Sequence, residues 1–179
     1  ALPGGKIAVN RGLLLELGSE AELAAVLGHE IVHAAARHGA QAIQRNMILQ
    51  GALLATTVAA RGDHSNLAIG AANLGAQLIN QRYGRGAELE ADLYGINYLA
   101  NAGYDPQAAV ALQETFVRLS EDRSQDWLSG LFASHPPSSE RVERNRETAA
   151  SLPASGEIGL DRYQATIRRI REAQPAYNL

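Results

Sequence analysis

The sequence predicts an α+β domain that is predominantly helical and carries one small β-sheet. Apolar residues recur at helical spacing in several segments, capping signals precede these segments, and a short alternating stretch near the amino end indicates a strand. At 179 residues the chain is long enough to form one domain, residues 1–179, with its own hydrophobic core.

Composition limits the partners and the metal chemistry that this chain can have. The formal net charge is −3 and the only lysine is Lys6, with the arginines spread along the sequence, so we expect no nucleic-acid partner. The chain contains no cysteine, which excludes disulfides and thiolate zinc sites. A bound metal would therefore be held by His, Asp or Glu.

The strand and the first long helix are predicted near the amino end. Ile7 and Val9 share one face of the segment 6–10, which follows a Pro-Gly-Gly turn and so predicts a short strand. Ser19 and Glu22 form a capping box, and a helix should begin there and end near Gly39 or Arg45. Its apolar stripe consists of Leu23, Val26, Leu27 and Ile31.

The rest of the chain is predicted from its breaks and caps. Residues 47–81 indicate a helical hairpin with a polar tip at 61–66. Three roles are open for this hairpin: part of the core, a mobile lid or a membrane-contacting element. Four further helices are expected, at residues 87–102, 106–121, 139–150 and 161–173. Residues 151–179 form a loop and helix that either pack on the core or lead to a flanking domain. The first residues include no initiator methionine and no signal peptide, so we expect a fragment or a processed form.

The segment His-Glu-Ile-Val-His at residues 29–33 lies inside the first long helix. Two histidines four residues apart lie on one helix face, so His29 and His33 can bind the same metal ion. Glu30 follows the first of them and can act as a base toward a metal-bound water. The segment therefore predicts a zinc hydrolase, against the alternative of a helix with two surface histidines and an unrelated glutamate.

A third ligand is expected from an acidic segment on a later helix, since a catalytic zinc usually keeps three protein ligands. Glu88 and Asp92 are four residues apart and share a face, whereas Glu90 points elsewhere. One of the two carboxylates can bind the metal, and the other can accept a hydrogen bond from the free nitrogen of a ligand histidine. Asp92 can equally be an ordinary carboxylate of the first turns, favoured by the helix dipole.

Three motifs together resemble a known family of zinc metallopeptidases. They are the segment at residues 29–33, Glu-Leu-Glu-Ala-Asp-Leu-Tyr-Gly at 88–95, and Ser-His-Pro-Pro-Ser-Ser-Glu-Arg at 134–141. Their content and order are similar to those of the HtpX, Oma and prenyl-protein (CAAX) peptidases, which are gluzincins, and most similar to the soluble BepA-like bacterial branch. The opening at residues 2–14 is similar to the same branch, so the resemblance covers about residues 1–150.

The resemblance implies a zincin-like metallopeptidase domain with one zinc ion per chain. It implies three zinc ligands, which are His29, His33 and Glu88. Glu30 is then the general base, and Asp92 is the hydrogen-bond partner of a ligand histidine. His135 and Arg141 are implied to lie near the metal, where either stabilises the oxyanion of the tetrahedral intermediate, and the histidine can also be a switchable fourth ligand. The residues alone leave open a plain loop histidine and a solvated helix arginine.

The resemblance also implies the reaction and the place where it occurs. It implies an endopeptidase for protein quality control, in which Glu30 activates a zinc-bound water to cut unfolded or misassembled proteins. The strand at residues 5–10 would lie beside the active-site helix, where a substrate can add as a further strand. The implied location is the bacterial periplasm or envelope, with membrane proximity through residues 47–81.

Two other functions remain open on the sequence. One is a zinc-bearing, chaperone-like binding module with little or no proteolysis, since it would need the same ligands. The other is a purely helical interaction domain without a metal. The two histidines outside these motifs, His38 and His64, are expected to be ordinary surface residues.

Overall fold

Helices dominate the structure, a computed structural model that describes residues 1–2, 4–61, 83–121 and 126–173. In chain order they are α1 (Arg11–Glu16), α2 (Glu20–Ala35), α3 (His38–Arg61), α4 (Arg85–Asn101), α5 (Gln107–Glu121), α6 (Asp126–Ser134), α7 (Ser139–Ala150) and α8 (Leu160–Glu172). The predominantly helical prediction is confirmed. Of the described helices, none combines the length and the hydrophobicity that a bilayer span requires.

The strand predicted at residues 6–10 is wrong. Within this segment only Lys6 makes a β pairing, an isolated bridge back to Leu2. Val9 instead packs against the helical core, and Asn10 caps α1, where its side chain accepts a hydrogen bond of 2.7 Å from a backbone N–H. Short apolar alternation does not distinguish a strand from an extended segment that lies on helices. The described residues contain no β-sheet, and the predicted small sheet has no counterpart in them.

The capping box starts α2 as predicted, but the helix ends earlier than expected. The hydroxyl of Ser19 accepts a hydrogen bond of 3.1 Å from the backbone N–H of Glu22, whose carboxylate accepts one from the backbone just before the cap. The helix ends at Ala35 because Arg37 takes the left-handed conformation, with φ 56°. Residues other than glycine rarely adopt this conformation, so this break could not be predicted from the sequence. The next helix, α3, begins at His38.

The later helices lie close to their predicted bounds, and local caps mark several of their ends. Gly103 follows α4 in the left-handed conformation, with φ 86°. The carboxylate of Asp105 accepts a hydrogen bond from the backbone N–H of Gln107 at 2.9 Å. The hydroxyl of Ser138 caps α7 by accepting one from the backbone N–H of Arg141 at 3.3 Å. These caps fix where α5 and α7 begin, and therefore where their polar side chains lie.

The hairpin predicted at residues 47–81 lies mostly beyond the described residues. Its first part belongs to α3, which continues to Arg61. The rest of the polar tip, the second arm and His64 fall outside the described ranges, so those predictions remain predictions.

One hydrophobic core joins helices from both ends of the chain. Tyr163 and Ile167 of the last helix lie in it together with residues of α1, α2, α4 and α5. The phenol of Tyr163 also donates a hydrogen bond of 2.7 Å to the carbonyl oxygen of Leu14. The segment after residue 150 therefore packs on the same core as the helix that carries the paired histidines.

The crossing of α2 and α4 determines where the polar residues of the two helices meet. A Cβ atom added to Gly28 would lie 2.8 Å from the carbonyl oxygen of Gly95, and one added to Gly95 would lie 2.9 Å from the backbone nitrogen of His29. Because both positions are glycine, the two backbones can touch. This close approach brings the carboxylates of α4 within reach of the histidines of α2.

We expect the substitution Gly95→Ala to lower the free energy of unfolding by about 1–3 kcal/mol, because the added methyl group forces α2 and α4 apart. The matched control is Gly86→Ala on the same helix, where an added Cβ would meet nothing within 4 Å. That control should leave stability unchanged or raise it by up to about 1 kcal/mol. Denaturant unfolding of both variants measures the difference. Equal stabilities would contradict the close crossing.

Candidate metal centre

Four side chains from three parts of the fold converge on one point. Each of His29, His33, Glu88 and His135 offers one donor atom, and these atoms all lie within 4.8 Å of one another. The Nε2 atoms of the two α2 histidines are 3.0 Å apart, and Oε1 of Glu88 lies 3.2 Å from Nε2 of His33. Nδ1 of His135, which follows α6, lies 3.1 Å from the same oxygen. The structure thus brings together the three predicted ligands and a fourth donor; we call this group the metal cluster.

The donor set fits a divalent transition metal. Nδ1 of His29 lies 2.9 Å from Oδ1 of Asp92, so it donates its proton there and leaves the lone pair of Nε2 directed at the cluster. Nε2 of His33 is directed at the same place, and Glu88 adds a carboxylate oxygen. Lone pairs this close repel each other unless a cation or a proton lies between them. Imidazole nitrogens with a carboxylate oxygen are ligands that such metals prefer in proteins.

Burial and hydrogen bonding keep most of these groups in the forms that bind a cation. Burial lowers the pKa of His33 to about 4, and burial also lowers the pKa of His135. Burial alone would raise the pKa of Glu88, but the neighbouring rings of His135, His29 and His33 outweigh burial and hold that pKa far below its usual range. For His29, burial lowers the pKa, but the carboxylates of Asp92 and Glu88 outweigh burial and raise it.

Arg141 of α7 holds the two carboxylates of α4 in place. Its Nε and Nη2 atoms donate to the two oxygens of Asp92 at 2.6 and 2.7 Å, and Nη1 lies 2.8 Å from Oε2 of Glu88. Nη1 also donates to the carbonyl oxygen of Pro136 at 3.2 Å. The side chain is 4% exposed, so this bidentate pairing is shielded from water. All three nitrogens thus have partners, two carboxylates and a backbone carbonyl, and the oxyanion role that the resemblance implied for Arg141 remains a prediction.

Glu30 lies beside the metal cluster without belonging to it. Its carboxylate is 12% exposed, and Oε1 lies 3.3 Å from Nε2 of His135. Its other oxygen contacts the backbone nitrogen of Ala1. Glu30, His29 and His135 all line a cavity of about 330 Å³. A carboxylate next to the ligands and facing a cavity is placed where a general base is needed.

Two residues that the sequence analysis did not assign to the site contact His33. His38 is buried, with 4% exposure, and its Nδ1 lies 2.9 Å from Nδ1 of His33. Its Nε2 lies 3.5 Å from Oε2 of Glu90. Tyr83 stacks on the ring of His33 with the ring centroids 3.9 Å apart. The expectation that His38 is a surface residue is wrong, because the left-handed Arg37 turns it back onto the preceding helix.

These contacts fix the tautomer of His33. With Nε2 directed at the metal cluster, the ring carries its proton on Nδ1 and donates it to Nδ1 of His38. The ring of His38 then carries its own proton on Nε2, on the side of Glu90. A histidine that binds a metal depends on such a partner for its orientation and basicity.

Residues 1–149 of the sequence match the family model described as Peptidase family M48. It is 37% identical over 140 residues to the mitochondrial metalloendopeptidase OMA1 of Arabidopsis thaliana, covering 78% of this chain and 27% of the relative. It is 35% identical over 161 residues to a putative beta-barrel assembly-enhancing protease of Vibrio cholerae, covering 84% of this chain and 32% of the relative.

A third relative is the metalloprotease YcaL of Escherichia coli, 32% identical over 155 residues, with 84% of this chain and 58% of the relative covered. The chain thus spans 27% to 58% of the length of these three relatives. The family resemblance predicted from the three motifs is confirmed.

We expect His38→Phe to weaken the affinity for added Zn²⁺ by about 10- to 100-fold, because the acceptor for the Nδ1 proton of His33 is lost while the ring volume is kept. His38→Gln, which offers a carbonyl oxygen as acceptor, should restore part of the affinity. Competition with a chelator of known affinity measures both variants, and thermal unfolding of the metal-free proteins checks that the fold is intact. An affinity unchanged in His38→Phe would show that this contact does not support the ligand.

Proposed function

The chain belongs to Peptidase family M48, and on this premise we propose that it is a zinc-dependent endopeptidase domain acting on unfolded or misassembled proteins. One observation carries the proposal: the donor atoms of His29, His33, Glu88 and His135 lie within 4.8 Å of one another, with Glu30 alongside. Metalloprotease names among the relatives support the same reaction.

His29, His33 and Glu88 would hold the zinc ion, a ligand set of the kind found in catalytic zinc sites. A bound zinc ion supplies Lewis acidity, which polarises a carbonyl group and acidifies water. Asp92 and Arg141 act through the ligands. Asp92 keeps the Nδ1 proton of His29 in place, and Arg141 neutralises and orients both α4 carboxylates.

Glu30 is the residue that moves protons in the proposed reaction. Its carboxylate accepts a proton from the attacking water and then delivers it to the nitrogen of the leaving amine. The location of Glu30 on the cavity wall, next to His29, supports this role because a substrate entering the cavity passes its carboxylate. The extended segment at residues 6–10 has its Ala8, Val9 and Asn10 on the same cavity, which supports the idea that substrate main chain docks along it.

His135 restrains the site in our proposal. Its Nδ1 lies 3.3 Å from Nε2 of His29, and its Nε2 lies 3.3 Å from Oε1 of Glu30. As a fourth donor it would complete the tetrahedral set and leave no place for water, which is typical of structural rather than catalytic sites. Withdrawal of the loop that carries His135 would free both the fourth place and the general base.

The location is proposed from resemblance. Relatives named for beta-barrel assembly occur in bacteria, and this supports the bacterial periplasm or envelope as the place of action. Relatives named as mitochondrial metalloendopeptidases belong to eukaryotes. We propose that proximity to a membrane, if the whole protein has it, involves residues 47–81, whose larger part lies beyond the described ranges.

We expect Glu30→Gln to keep one zinc ion per chain and to lower cleavage of casein by at least about 100-fold, because the base is lost while the ligands stay. Elemental analysis and a cleavage assay measure the two quantities. Glu114→Gln makes the same change at an exposed glutamate of α5 and should leave both unaltered.

Two outcomes would reject the proposal. A wild-type protein free of metal after metal-replete purification would favour the interaction domain without metal. A protein that binds zinc but never cuts casein, even when His135 is replaced, would favour the chaperone-like binding module.

We expect His135→Ala to raise casein cleavage severalfold with one zinc ion still bound, because the three remaining ligands suffice and the fourth place opens to water. Initial rates at equal zinc loading measure the effect. A fall in rate at full zinc loading would instead assign His135 to stabilisation of the oxyanion, and a loss of zinc would make it an indispensable ligand.

A further inference from the structure

The cavity beside the metal cluster extends into the hydrophobic core. It has a volume of about 330 Å³, and Glu30 and His29 line it together with core residues. A cavity that is apolar and continuous with the reacting groups can hold one large side chain of a substrate whose peptide bond lies beside Glu30. The apolar residues among its walls include Leu13, Val26, Ile96, Leu112 and Phe116.

One face of α6 forms a wall of this cavity. Trp127, Gly130, Leu131 and Ser134 all line it, and their spacing of three and four residues puts them on one face of the helix. Within this face Gly130 is exposed, whereas its neighbour Leu131 is partly buried. Gly130 therefore lies where the wall of the cavity meets the solvent, a position that we call the mouth of the cavity.

Packing does not require a glycine at the mouth of the cavity. A Cβ atom added to Gly130 would meet nothing within 4 Å, whereas one added to Gly12 would lie 2.6 Å from the ring of Trp127. A glycine inside a helix lowers stability by about 0.5–1 kcal/mol relative to alanine. What Gly130 contributes to this face of α6 is the absence of a side chain, which leaves the mouth open.

We propose that this cavity binds a large, uncharged apolar side chain of the substrate, such as Leu or Phe, next to the scissile bond, and that Gly130 keeps its mouth open. The inference rests on the proposed function, since it gives the peptidase a side-chain preference. Large apolar side chains are mostly buried in folded proteins and become accessible when a chain unfolds. A pocket that requires such a side chain would therefore direct cleavage to unfolded chains.

The walls of the cavity select against small and charged side chains. An alanine would leave most of the apolar surface of the cavity uncovered, so little would be gained from its binding. Among the charged residues on the walls, Asp92 and Arg141 are already paired with each other through two hydrogen bonds, and Glu30 lies at the end next to the metal cluster. A lysine or glutamate deep in the cavity would thus be a buried charge without a counter-charge, which is strongly unfavourable.

The test measures binding separately from cleavage. Peptides without tryptophan that differ in one residue, Leu, Phe, Ala, Lys or Glu, are titrated into zinc-loaded Glu30→Gln protein by calorimetry. We expect the Leu and Phe peptides to bind about 10- to 100-fold more tightly than the Ala peptide, and the Lys and Glu peptides to bind no better than Ala. In wild-type protein, kcat/KM for cleavage beside Leu should exceed that for Ala by a similar factor. Trp127, the only tryptophan of the chain, should shift its emission to shorter wavelength with the Leu and Phe peptides and not with the Ala peptide.

One variant and its control assign the preference to the mouth of the cavity. Gly130→Leu adds a side chain to the cavity-facing side of α6 and should lose most of the preference for Leu over Ala. Its melting temperature should be at least that of the wild type, because leucine favours a helix more than glycine does. Gly86→Leu makes the same change on α4, where an added Cβ would also meet nothing within 4 Å, and should keep the preference.

The outcomes separate the subsite from the reaction. Equal binding of the Leu and Ala peptides would overturn the subsite, and so would a preference that survives in Gly130→Leu or that leaves the emission of Trp127 unchanged. If Gly130→Leu fails to fold, the peptide series and the emission of Trp127 in the Glu30→Gln protein still decide. A preference for Leu without any wild-type cleavage would reject the peptidase and keep the subsite, whereas cleavage without a preference would do the reverse.

Discussion

Direct contact between two helix backbones, at Gly28 and Gly95, sets the distances in the whole site. Helices separated by side chains usually lie 8–10 Å apart, whereas these two touch without any intervening Cβ. Asp92 and Glu88 lie about one and two turns before Gly95, and the paired histidines begin directly after Gly28. A wider crossing would move both carboxylates away from the imidazole rings. The geometry of the metal cluster therefore depends on a backbone contact at two glycines that do not belong to the cluster.

A second constraint is the balance of charge around the metal cluster. Glu88 and Asp92 are buried next to each other on α4, and the buried Arg141 pairs with both. Without that guanidinium, two carboxylates in a shielded place would repel each other and raise each other's pKa. α7 thus contributes to the site although it supplies none of the four donors. The cap at Ser138 fixes the first turn of α7, from which Arg141 projects.

Much of this site follows from helical spacing alone. His29 and His33 lie four residues apart in a helix that the Ser19 cap identifies, so their convergence could be predicted. His38 could not, because its contact depends on a left-handed arginine that no propensity rule indicates. The strand predicted at residues 6–10 was wrong because an alternating apolar pattern fits an extended segment packed on helices as well as it fits a strand of a sheet.

The pairing of Arg141 also bears on how the protein matures. Some small metal-binding domains are unfolded without their ion, because their ligands repel one another and their hydrophobic core is too small to stabilise the fold alone. Here the metal-cluster residues of α2 and α4 lie on helices that share one hydrophobic core, and the guanidinium of Arg141 pairs with the two carboxylates of α4. The fold itself therefore holds the four residues of the metal cluster close together. Assembly would proceed by folding first and metallation second, and an ion could be exchanged without loss of the native state.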